Sequence, residues 1–287
     1  MMLKGAFRYP GSKDKIASAV ARWFPPRVTY AALTGGVSCY CEPFIGCGAM
    51  AMRVLPGLHA TTRVVFADKD YGIVCLWRAV RSDPGELCRR LRDFTPSVAA
   101  FELFKAEDGI IADPAEAAFR KFALHQISFS GLGAMAGGPI GGVEQGKAAY
   151  KVDCRFRPER HAKAIIDQHR LLKRFASVEV VHGDFSEALD MVPDDGFAYL
   201  DPPYFLKGAE LYKHNMTPDD HARLAGVLAA ARYEWALSYD DHQAVRDLYA
   251  GWSDTNEFEM TATIDSKRGA KSRRKNNELV ITKRETV

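Results

Sequence analysis

Short apolar runs alternate with helical patterns at both ends of the chain. The runs that predict strands lie at residues 37–42, 63–67, 178–182, 197–200, 234–239, 258–263 and 278–282. The segments that predict helices lie at residues 12–23, 49–55, 70–81, 186–191, 217–232 and 241–250. Because strands that alternate with helices usually pair in parallel and are covered by those helices, the pattern predicts an α/β fold.

The alternation of predicted strands and helices stops in the middle of the chain. Residues 84–175 have a mostly helical pattern, and Leu87, Leu91 and Phe94 recur at a helical spacing that favours core packing over cofactor contact. Seven glycines between residues 131 and 146 are too many for a packed element, so we expect a mobile loop there. We therefore predict an inserted domain at 84–175 within a catalytic domain formed by residues 1–83 and 176–287.

The most informative turn follows the strand predicted at residues 197–200. Asp201 stands at the strand tip, and Pro202 and Pro203 stop the strand because neither ring nitrogen can donate a hydrogen bond. The Asp201 carboxylate and the Pro202 carbonyl are two acceptors beside the ring of Tyr204. Such a group can hold a planar base by the two protons of its exocyclic amine. An ordinary strand-ending turn is the alternative interpretation.

A glycine turn follows the first predicted strand. The spacing Gly46-x-Gly48-x-x-Ala51 lets the backbone approach a ligand closely, because the side chains that would block it are missing. Asp68 ends the second strand, twenty residues past Gly48, where an acid is placed to accept both ribose hydroxyls of an adenosine. Together these features indicate an adenosine-containing cofactor.

Two further segments contain candidate cofactor contacts. Ser12 is a predicted helix cap, which places Lys13 in the first turn with Tyr9 just ahead of it. A cation and an aromatic ring at that position can hold a small molecule with a carboxylate and a π-system. Asp184 follows the strand at 178–182 and can either reach an adenine amine or cap the next helix.

Positive charge is concentrated in two segments. Residues 117–175 carry eleven Lys or Arg against four Asp or Glu, and residues 264–287 carry eight against three. Two basic segments favour a polyanion contacted at two places, although solvated faces are the alternative. Tyr150 and Phe156 lie among the cations of the first segment, a spacing that favours nucleic-acid contact. The candidate contacts are Lys147, Lys151, Arg155, Arg157, Lys267, Arg268, Lys271, Arg273, Arg274 and Lys275.

Composition limits the class of protein more than its activity. The chain of 287 residues is 47% hydrophobic and 26% charged, as in ordinary globular proteins. No run of eighteen uncharged apolar residues and no signal-peptide core is found, so we expect a cytoplasmic protein without membrane contact. The six cysteines follow no paired-ligand spacing, which favours free thiols over metal ligands or disulfides.

In chain order, these motifs resemble the Dam-type (alpha-group) DNA N6-adenine methyltransferases. The resemblance covers nearly the whole chain outside residues 84–175. The segments that carry it are Tyr9-Pro10-Gly11-Ser12-Lys13, Glu42-Pro43-Phe44-Ile45-Gly46-Cys47-Gly48-Ala49, Ala67-Asp68-Lys69-Asp70, Asp201-Pro202-Pro203-Tyr204 and the stretch from Arg273 to Leu279.

The resemblance implies a Rossmann-like sheet of seven strands, one of them reversed, with a mostly helical target-recognition insert. It implies S-adenosylmethionine as methyl donor, S-adenosylhomocysteine as product, no metal, and site-specific transfer to N6 of an adenine flipped from double-stranded DNA. We expect a monomer or weak dimer, with or without a restriction partner. The implied catalytic residues are Asp201, Pro202, Pro203 and Tyr204, and the implied cofactor contacts are Tyr9, Lys13, Glu42, Phe44, Gly46, Gly48, Asp68, Asp184 and Asp201.

The chain departs from the family pattern at two places. Asp70 stands where the family usually has Asn, two residues after the ribose-binding acid, and we expect little effect on binding. The insert has Ser130-Gly131-Leu132-Gly133 where the family usually has an Asn-Gly-x-x-Arg segment. The usual GATC target therefore does not follow from the resemblance.

Other functions stay open at this point. A methyltransferase with this signature can act on cytosine N4, on RNA or on a protein glutamine amide. The glycine turn with Asp68 also allows a nicotinamide-dependent oxidoreductase, which leaves the Pro202-Pro203-Tyr204 turn and the basic segments unexplained. A third alternative is a DNA-binding protein that keeps the motifs without catalysis.

Overall fold

The computed structural model describes residues 5, 7–9, 12–206, 208–261 and 275–284. Its seven-stranded sheet has the order β3-β2-β1-β4-β5-β7-β6. The strands are β1 (Cys39–Glu42), β2 (Arg63–Asp68), β3 (Val178–His182), β4 (Phe197–Leu200), β5 (Glu234–Asp240), β6 (Ser253–Thr261) and β7 (Lys275–Lys283). Pairs from β3 to β5 are parallel, whereas β7 runs antiparallel to both β5 and β6. The predicted α/β fold, with seven strands and one reversed strand, is confirmed.

Thirteen α-helices occur in the described part of the chain. They are α1 (Ala17–Val20), α2 (Pro26–Thr29), α3 (Ala31–Thr34), α4 (Ala49–Val54), α5 (Tyr71–Ser82), α6 (Gly85–Asp93), α7 (Val98–Ala106), α8 (Pro114–Ile127), α9 (Pro158–Leu172), α10 (Phe185–Leu189), α11 (Gly208–Leu211), α12 (Pro218–Ala230) and α13 (Gln243–Tyr249). The single helix predicted at 12–23 was wrong. Ser12 caps a 3₁₀ turn at Lys13–Lys15, and α1 and a second 3₁₀ turn follow.

The sheet is covered by helices on both faces. Successive strand residues point to opposite sides, so Val64 and Phe66 pack into one apolar layer while Val65 and Ala67 pack into the other. The first layer is completed by α1, α4 and α5, and the second by α10, α12 and α13. Strands buried on both faces explain why the apolar runs of the sequence are continuous rather than alternating.

The helices of residues 84–175 share the first of these layers. α8 packs along α5, and α9 packs against α5 and α6. The buried side chains of Phe101, Phe122 and Leu172 join the same apolar cluster as Trp77. The division into a catalytic domain and an insert stays a prediction, and the insert has no apolar core separate from that of the sheet among the described residues.

The glycine-rich segment at 131–146 contains more local structure than the sequence suggested. Ser128 forms an isolated antiparallel bridge with Pro139, and 3₁₀ turns lie at Phe129–Gly131, Gly133–Met135 and Gln145–Lys147. Ala136 and Ile140 are buried. The glycines therefore do not exclude packing, and the mobility of this loop stays a prediction.

The strand order creates a crevice at one edge of the sheet. From β1 the chain adds strands on one side, to β2 and β3, and from β4 it adds them on the other. The loops that leave the carboxyl ends of β1 and β4 therefore diverge, and ligands of open α/β sheets bind at such a switch point. The glycine turn after β1 and the Asp201 turn after β4 both lie there.

Candidate active site

The glycine turn after β1 is held between two aromatic rings. Gly46 and Gly48 have φ of +45° and +71°, a region that side chains disfavour. A Cβ on Gly48 would lie 2.3 Å from Cζ2 of Trp77, and one on Gly46 would lie 3.0 Å from Cε1 of Tyr9. The Trp77 indole also donates to the Gly46 carbonyl at 2.8 Å. Backbone conformation and space both require glycine here.

Asp68, at the carboxyl end of β2, is tied to this turn. Its carboxylate accepts the backbone N–H groups of Gly46, at 3.0 Å, and of Asp70, at 2.9 Å. Burial, and then the negative charge of Asp70, raise the pKa of Asp68 to about 7, against the effect of these hydrogen bonds. The acid therefore titrates near neutral pH.

Two adjoining cavities open beside these loops, with volumes of about 720 and 380 Å³. Both are lined by Tyr9, Phe44, Gly46, Asp201 and Tyr212. The larger cavity continues towards Asp68 and Phe185, and the smaller towards Lys13 and Glu42. Concave sites with aromatic walls and a few convergent polar groups hold small organic ligands, and these linings suit a nucleoside with a charged extension.

The Asp201 carboxylate is fixed by residues from two other elements. Lys13 Nζ lies 2.8 Å from Oδ1, and the Ser238 hydroxyl of β5 donates to the same oxygen at 3.0 Å. Because that hydroxyl donates its hydrogen bond to Asp201, it accepts a hydrogen bond from the Tyr199 hydroxyl at 2.7 Å. The carboxylate is 23% exposed, which leaves it accessible to a ligand.

Lys13 is buried, with only 2% of its side chain exposed, and lies between two carboxylates. Its Nζ is 2.6 Å from Glu278 Oε1 on β7 as well as 2.8 Å from Asp201, and it lies over the Tyr204 ring at 5.1 Å. Burial lowers the pKa of Lys13, but Asp201 and Glu278 outweigh it and raise that pKa well above its usual value. The ammonium is therefore an electrostatic anchor for Asp201.

Glu278 is a site residue that sequence reasoning missed as a candidate. Its side chain is 2% exposed and pairs with Lys13, while burial raises the pKa of its carboxyl despite that pairing. The signal in the sequence was an acid at the start of an otherwise apolar strand. Ser238 and Tyr212 carried no comparable signal, because a serine inside a strand and a tyrosine after a turn are ordinary.

Glu42, a predicted cofactor contact, lines the smaller cavity, and the protonation state of its carboxyl is unusual. Its carboxyl is 3% exposed and accepts a hydrogen bond from the hydroxyl of Tyr40. Burial, reinforced by the nearby Asp201 and opposed by the Tyr40 hydrogen bond, raises the pKa of Glu42 to about 8. A proton is therefore retained on Glu42 at neutral pH when the cavity holds no cation.

The remaining predicted residues differ in how directly they face the cavities. Phe44 lines both, and its ring lies 5.6 Å from that of Phe185. Asp184 lines the larger cavity but caps α10, and Arg223 binds both its oxygens, at 2.6 and 2.8 Å. These contacts lower the pKa of Asp184, the Arg223 hydrogen bonds most. Of the two roles left open for Asp184, the helix cap is the one observed.

The residues of the turn that follows β4 at Asp201 contribute unequally to the cavities. Pro203 lines the larger cavity, and Pro202 is buried behind it. The Tyr204 ring has Lys13 over it and the edge of Tyr212 at 6.3 Å. Tyr204 is not among the described lining residues of either cavity, so its role as a platform for a base stays a prediction.

The cations of the insert's basic segment are exposed, whereas its two aromatic residues differ in their exposure to solvent. Lys147, Lys151, Arg155 and Arg157 are all solvent-exposed. Tyr150 is 68% exposed, whereas Phe156 is 5% exposed and packs 5.3 Å from Phe94. The interpretation of Phe156 as a nucleic-acid contact was therefore wrong, since it belongs to the core. Lys267, Arg268, Lys271, Arg273 and Arg274 lie outside the described residues, and Lys275 begins β7.

All six cysteines are free thiols, as their spacing predicted. None of the helices in the described ranges is both long and apolar enough to cross a membrane. Among the same residues, no cluster of three or more His, Cys, Asp or Glu has the arrangement of a metal site.

Comparison with known proteins agrees with this geometry. The model of the D12 class N6 adenine-specific DNA methyltransferases matches residues 9–264. The chain belongs to that family. As a D12 methyltransferase it uses S-adenosylmethionine and acts on DNA, so the predicted enzyme class is confirmed. The oxidoreductase alternative is thereby set aside.

Relatives of this D12 methyltransferase have low sequence identity. The Type II methyltransferase M.MjaIII of Methanocaldococcus jannaschii is 22% identical over 78% of this chain and 79% of its own. The Type II methyltransferase M1.LlaDCHI of Lactococcus lactis subsp. cremoris is 24% identical over 85% of each chain. A solved structure, precorrin 8w decarboxylase of Methanobacterium thermoautotrophicum, is 10% identical and covers 99% of this chain and 100% of its own, but its TM-score of 0.41 carries no argument.

Proposed function

We propose that the chain methylates N6 of an adenine flipped out of duplex DNA, with Asp201, Pro202 and Tyr204 at the reacting centre. The observation that carries this assignment is the position of Asp201. Its carboxylate lies at the switch point of the sheet, lines both cavities and is 23% exposed, so one acid faces the cofactor site and stays accessible to a base that enters from solvent.

The chain's own residues prepare Asp201 for this task. Lys13 and Ser238 both contact Oδ1, which leaves Oδ2 for an amine proton of the base. The Pro202 carbonyl accepts the second proton, and this pairing turns the nitrogen lone pair towards the methyl donor. S-adenosylmethionine supplies the methyl group on a positively charged sulfur. Catalysis then comes from orientation and from fixed charges.

The cofactor contacts divide between the two cavities. Asp68 is placed to accept ribose hydroxyls, and Phe44 with Phe185 forms an aromatic wall for the adenine ring. Glu42 and Asp201 in the smaller cavity suit the ammonium of the methionine part, and the proton on Glu42 leaves when that cation enters. The tight packing of Gly46 and Gly48 between rings supports this fit.

DNA contact is assigned to the exposed cations of the insert and to the basic segment near the C-terminus. Lys147, Lys151, Arg155 and Arg157 are free of the apolar core, and charge neutralisation of this kind gives sequence-independent affinity. We assign the recognition of the DNA site to residues 84–175. We expect the active form to be a monomer or weak dimer, and sedimentation with and without DNA will measure its oligomeric state.

Replacing Asp201 with alanine tests the reacting centre. Methyl transfer should fall by at least about a thousandfold, since an oriented acceptor contributes on that scale, while DNA affinity stays within about twofold. The measurement is transfer of labelled methyl groups, followed by digestion to nucleosides. The exposed Asp247 on α13 gives the matched control, Asp247→Ala, which should keep full activity.

The same digestion identifies the acceptor. Label in N6-methyl-2′-deoxyadenosine from duplex DNA supports the assignment, whereas label in N4-methyl-2′-deoxycytidine, in RNA or in protein glutamine would overturn the proposed substrate. Full activity of Asp201→Ala would overturn the proposed centre, whatever the acceptor.

A further inference from the structure

A chain of alternating charges, buried at Lys121 and Asp108 in its centre, runs beside the larger cavity. Lys121 of α8 is 4% exposed, and its Nζ lies 2.7 Å from Asp70 Oδ2 and 2.5 Å from Asp108 Oδ1. Asp108, also nearly buried, pairs through Oδ2 with Lys213 Nζ at 2.9 Å. Lys213 donates to the Asp108 carbonyl as well, at 2.6 Å. Four charged groups thus form one continuous network.

The network joins three separate parts of the fold. Asp70 lies between β2 and α5, Lys121 and Asp108 belong to the insert, and Lys213 follows the catalytic turn. Asp70 and Lys213 both line the larger cavity. The insert therefore contacts two walls of the cavity through paired charges whose mutual attraction offsets part of the cost of burying them.

Asp70 transmits this contact to the proposed ribose-binding acid. Its N–H donates to Asp68 at 2.9 Å, and its own Oδ1 caps α5 by accepting from Gly72 and Ile73 at 2.9 and 3.2 Å. Gly72 also makes room for the lysine, because a Cβ there would lie 2.6 Å from Lys121 Cε. The local structure is thus shaped around the Lys121 side chain.

We propose that Lys121 is a positioning residue of the cofactor site, through which the insert sets the charge and placement of Asp68 and holds Lys213 against the cavity. The proposal rests on the assignment of Asp68 to the ribose. Asp70, which differs from the usual Asn of the family, then has a function of its own, because it is the partner that Lys121 requires.

The pH at which Asp68 ionises supplies a readout that would not change if the role of Lys121 were purely structural. Ionised Asp68 accepts both hydroxyls, so affinity for the nucleoside should rise as pH increases through the pKa of Asp68. Removing the negative charge of Asp70 should move that rise to lower pH, and removing the positive charge of Lys121 should move it to higher pH. The other groups around Asp68 and Asp70 are Lys69, Asp108, His214 and the Tyr9 hydroxyl.

The experiment is calorimetric titration with adenosine between pH 5.5 and 9. S-adenosylhomocysteine is titrated into the parent chain at a single pH, because its methionine part couples to Glu42, whose pKa of about 8 lies in the same range. The variants are Asp70→Asn, and Lys121→Met combined with Asp108→Asn, which avoids leaving two unpaired buried carboxylates. We expect the pH midpoint of the rise in affinity to shift by about one unit, in opposite directions in the two variants, which is a typical effect of one nearby charge. Each chain is measured with and without His214→Gln, because His214 lines the same cavity and interacts with Asp70.

A matched lysine in the insert provides the control. Lys163 on α9 also pairs with an aspartate, Asp167, at 2.5 Å, but is 68% exposed. Lys163→Met should leave the midpoint unchanged. Midpoints that do not move, or that move in the same direction in both test variants, overturn the role of Lys121 alone. A parent chain that does not bind S-adenosylhomocysteine overturns the proposed cofactor site as well.

Discussion

At the scale of single residues, chemistry at this site depends on which charges are buried together. Lys13 is an anchor because Asp201 and Glu278 flank it, and Glu42 keeps a proton mainly because it is buried, with the charge of Asp201 adding to that effect. The sequence identified Lys13, Glu42 and Asp201 as candidates from their motifs. It could not identify Glu278 as the partner, because the strand that carries it is brought alongside only by the sheet.

Glu42 makes the stability of the unliganded enzyme depend on pH. Its folded pKa of about 8 lies above the unfolded value, so its contribution is fully present below about pH 4.5 and is lost as pH rises through 8. Glu42→Gln removes this loss and should increase the free energy of unfolding at pH 8.5 by roughly 4 kcal/mol relative to the parent, against less than about 1 kcal/mol at pH 5. Urea unfolding at both pH values measures it. A pH-independent difference would contradict the assignment.

At the scale of elements, local rules predicted most of the strands and the turns between them. β2 and β4 occur where apolar runs end in an acid, and Asp70 and Thr217 cap α5 and α12. Boundaries were less secure. β6 begins at Ser253, ahead of its predicted start at Phe258, because pairing with β7 extends the strand into residues 253–257, which are all polar and carry no apolar signal.

The glycine turn after β1 should not tolerate a side chain. Gly48→Ala places a Cβ within 2.3 Å of the Trp77 ring at a φ of +71°, so we expect a loss of at least about 2 kcal/mol in stability and more than tenfold weaker cofactor binding. Gly57→Ala is the control, because a Cβ there meets nothing within 4 Å. Thermal unfolding with and without S-adenosylhomocysteine compares them. Equal unfolding temperatures of the two variants, with and without S-adenosylhomocysteine, would show that the turn adapts to a side chain.

At the scale of the whole molecule, the insert is part of the enzyme's core as well as the proposed DNA reader. Its helices α8 and α9 lie on α5, and its charges reach the cofactor cavity. Composition alone had marked residues 84–175 as a separate unit. The break in the strand–helix rhythm is real, but the apolar face of an inserted helix does not reveal which surface it covers.

The exposed cations of the insert should determine how DNA affinity responds to salt. Replacing Lys147, Lys151, Arg155 and Arg157 with glutamine should weaken binding to all sequences and reduce the slope of log affinity against log salt by about four, if each contacts one phosphate. Fluorescence anisotropy at several salt concentrations measures the slope. Arg232→Gln is the control, since this exposed arginine lies just before the amino end of β5, on the opposite edge from the catalytic turn. An unchanged slope in the fourfold variant would remove the insert segment from the DNA interface.

The sequence by itself determined the features that depend on neighbours along the chain. Apolar runs specify buried strands, positive φ requires glycine at 46 and 48, and prolines end β4 just beyond Asp201. These were enough to predict the α/β fold, the glycine turn and the Asp201 turn, and their motifs carry the resemblance to the family.

Only the tertiary structure decided which distant groups meet. It paired Lys13 with Glu278 and Lys121 with Asp70, gave Asp184 to Arg223, and placed Phe156 in the core. The physical reason is that burial and Coulomb interactions act through space, so the state of a charged side chain depends on contacts that no local pattern records.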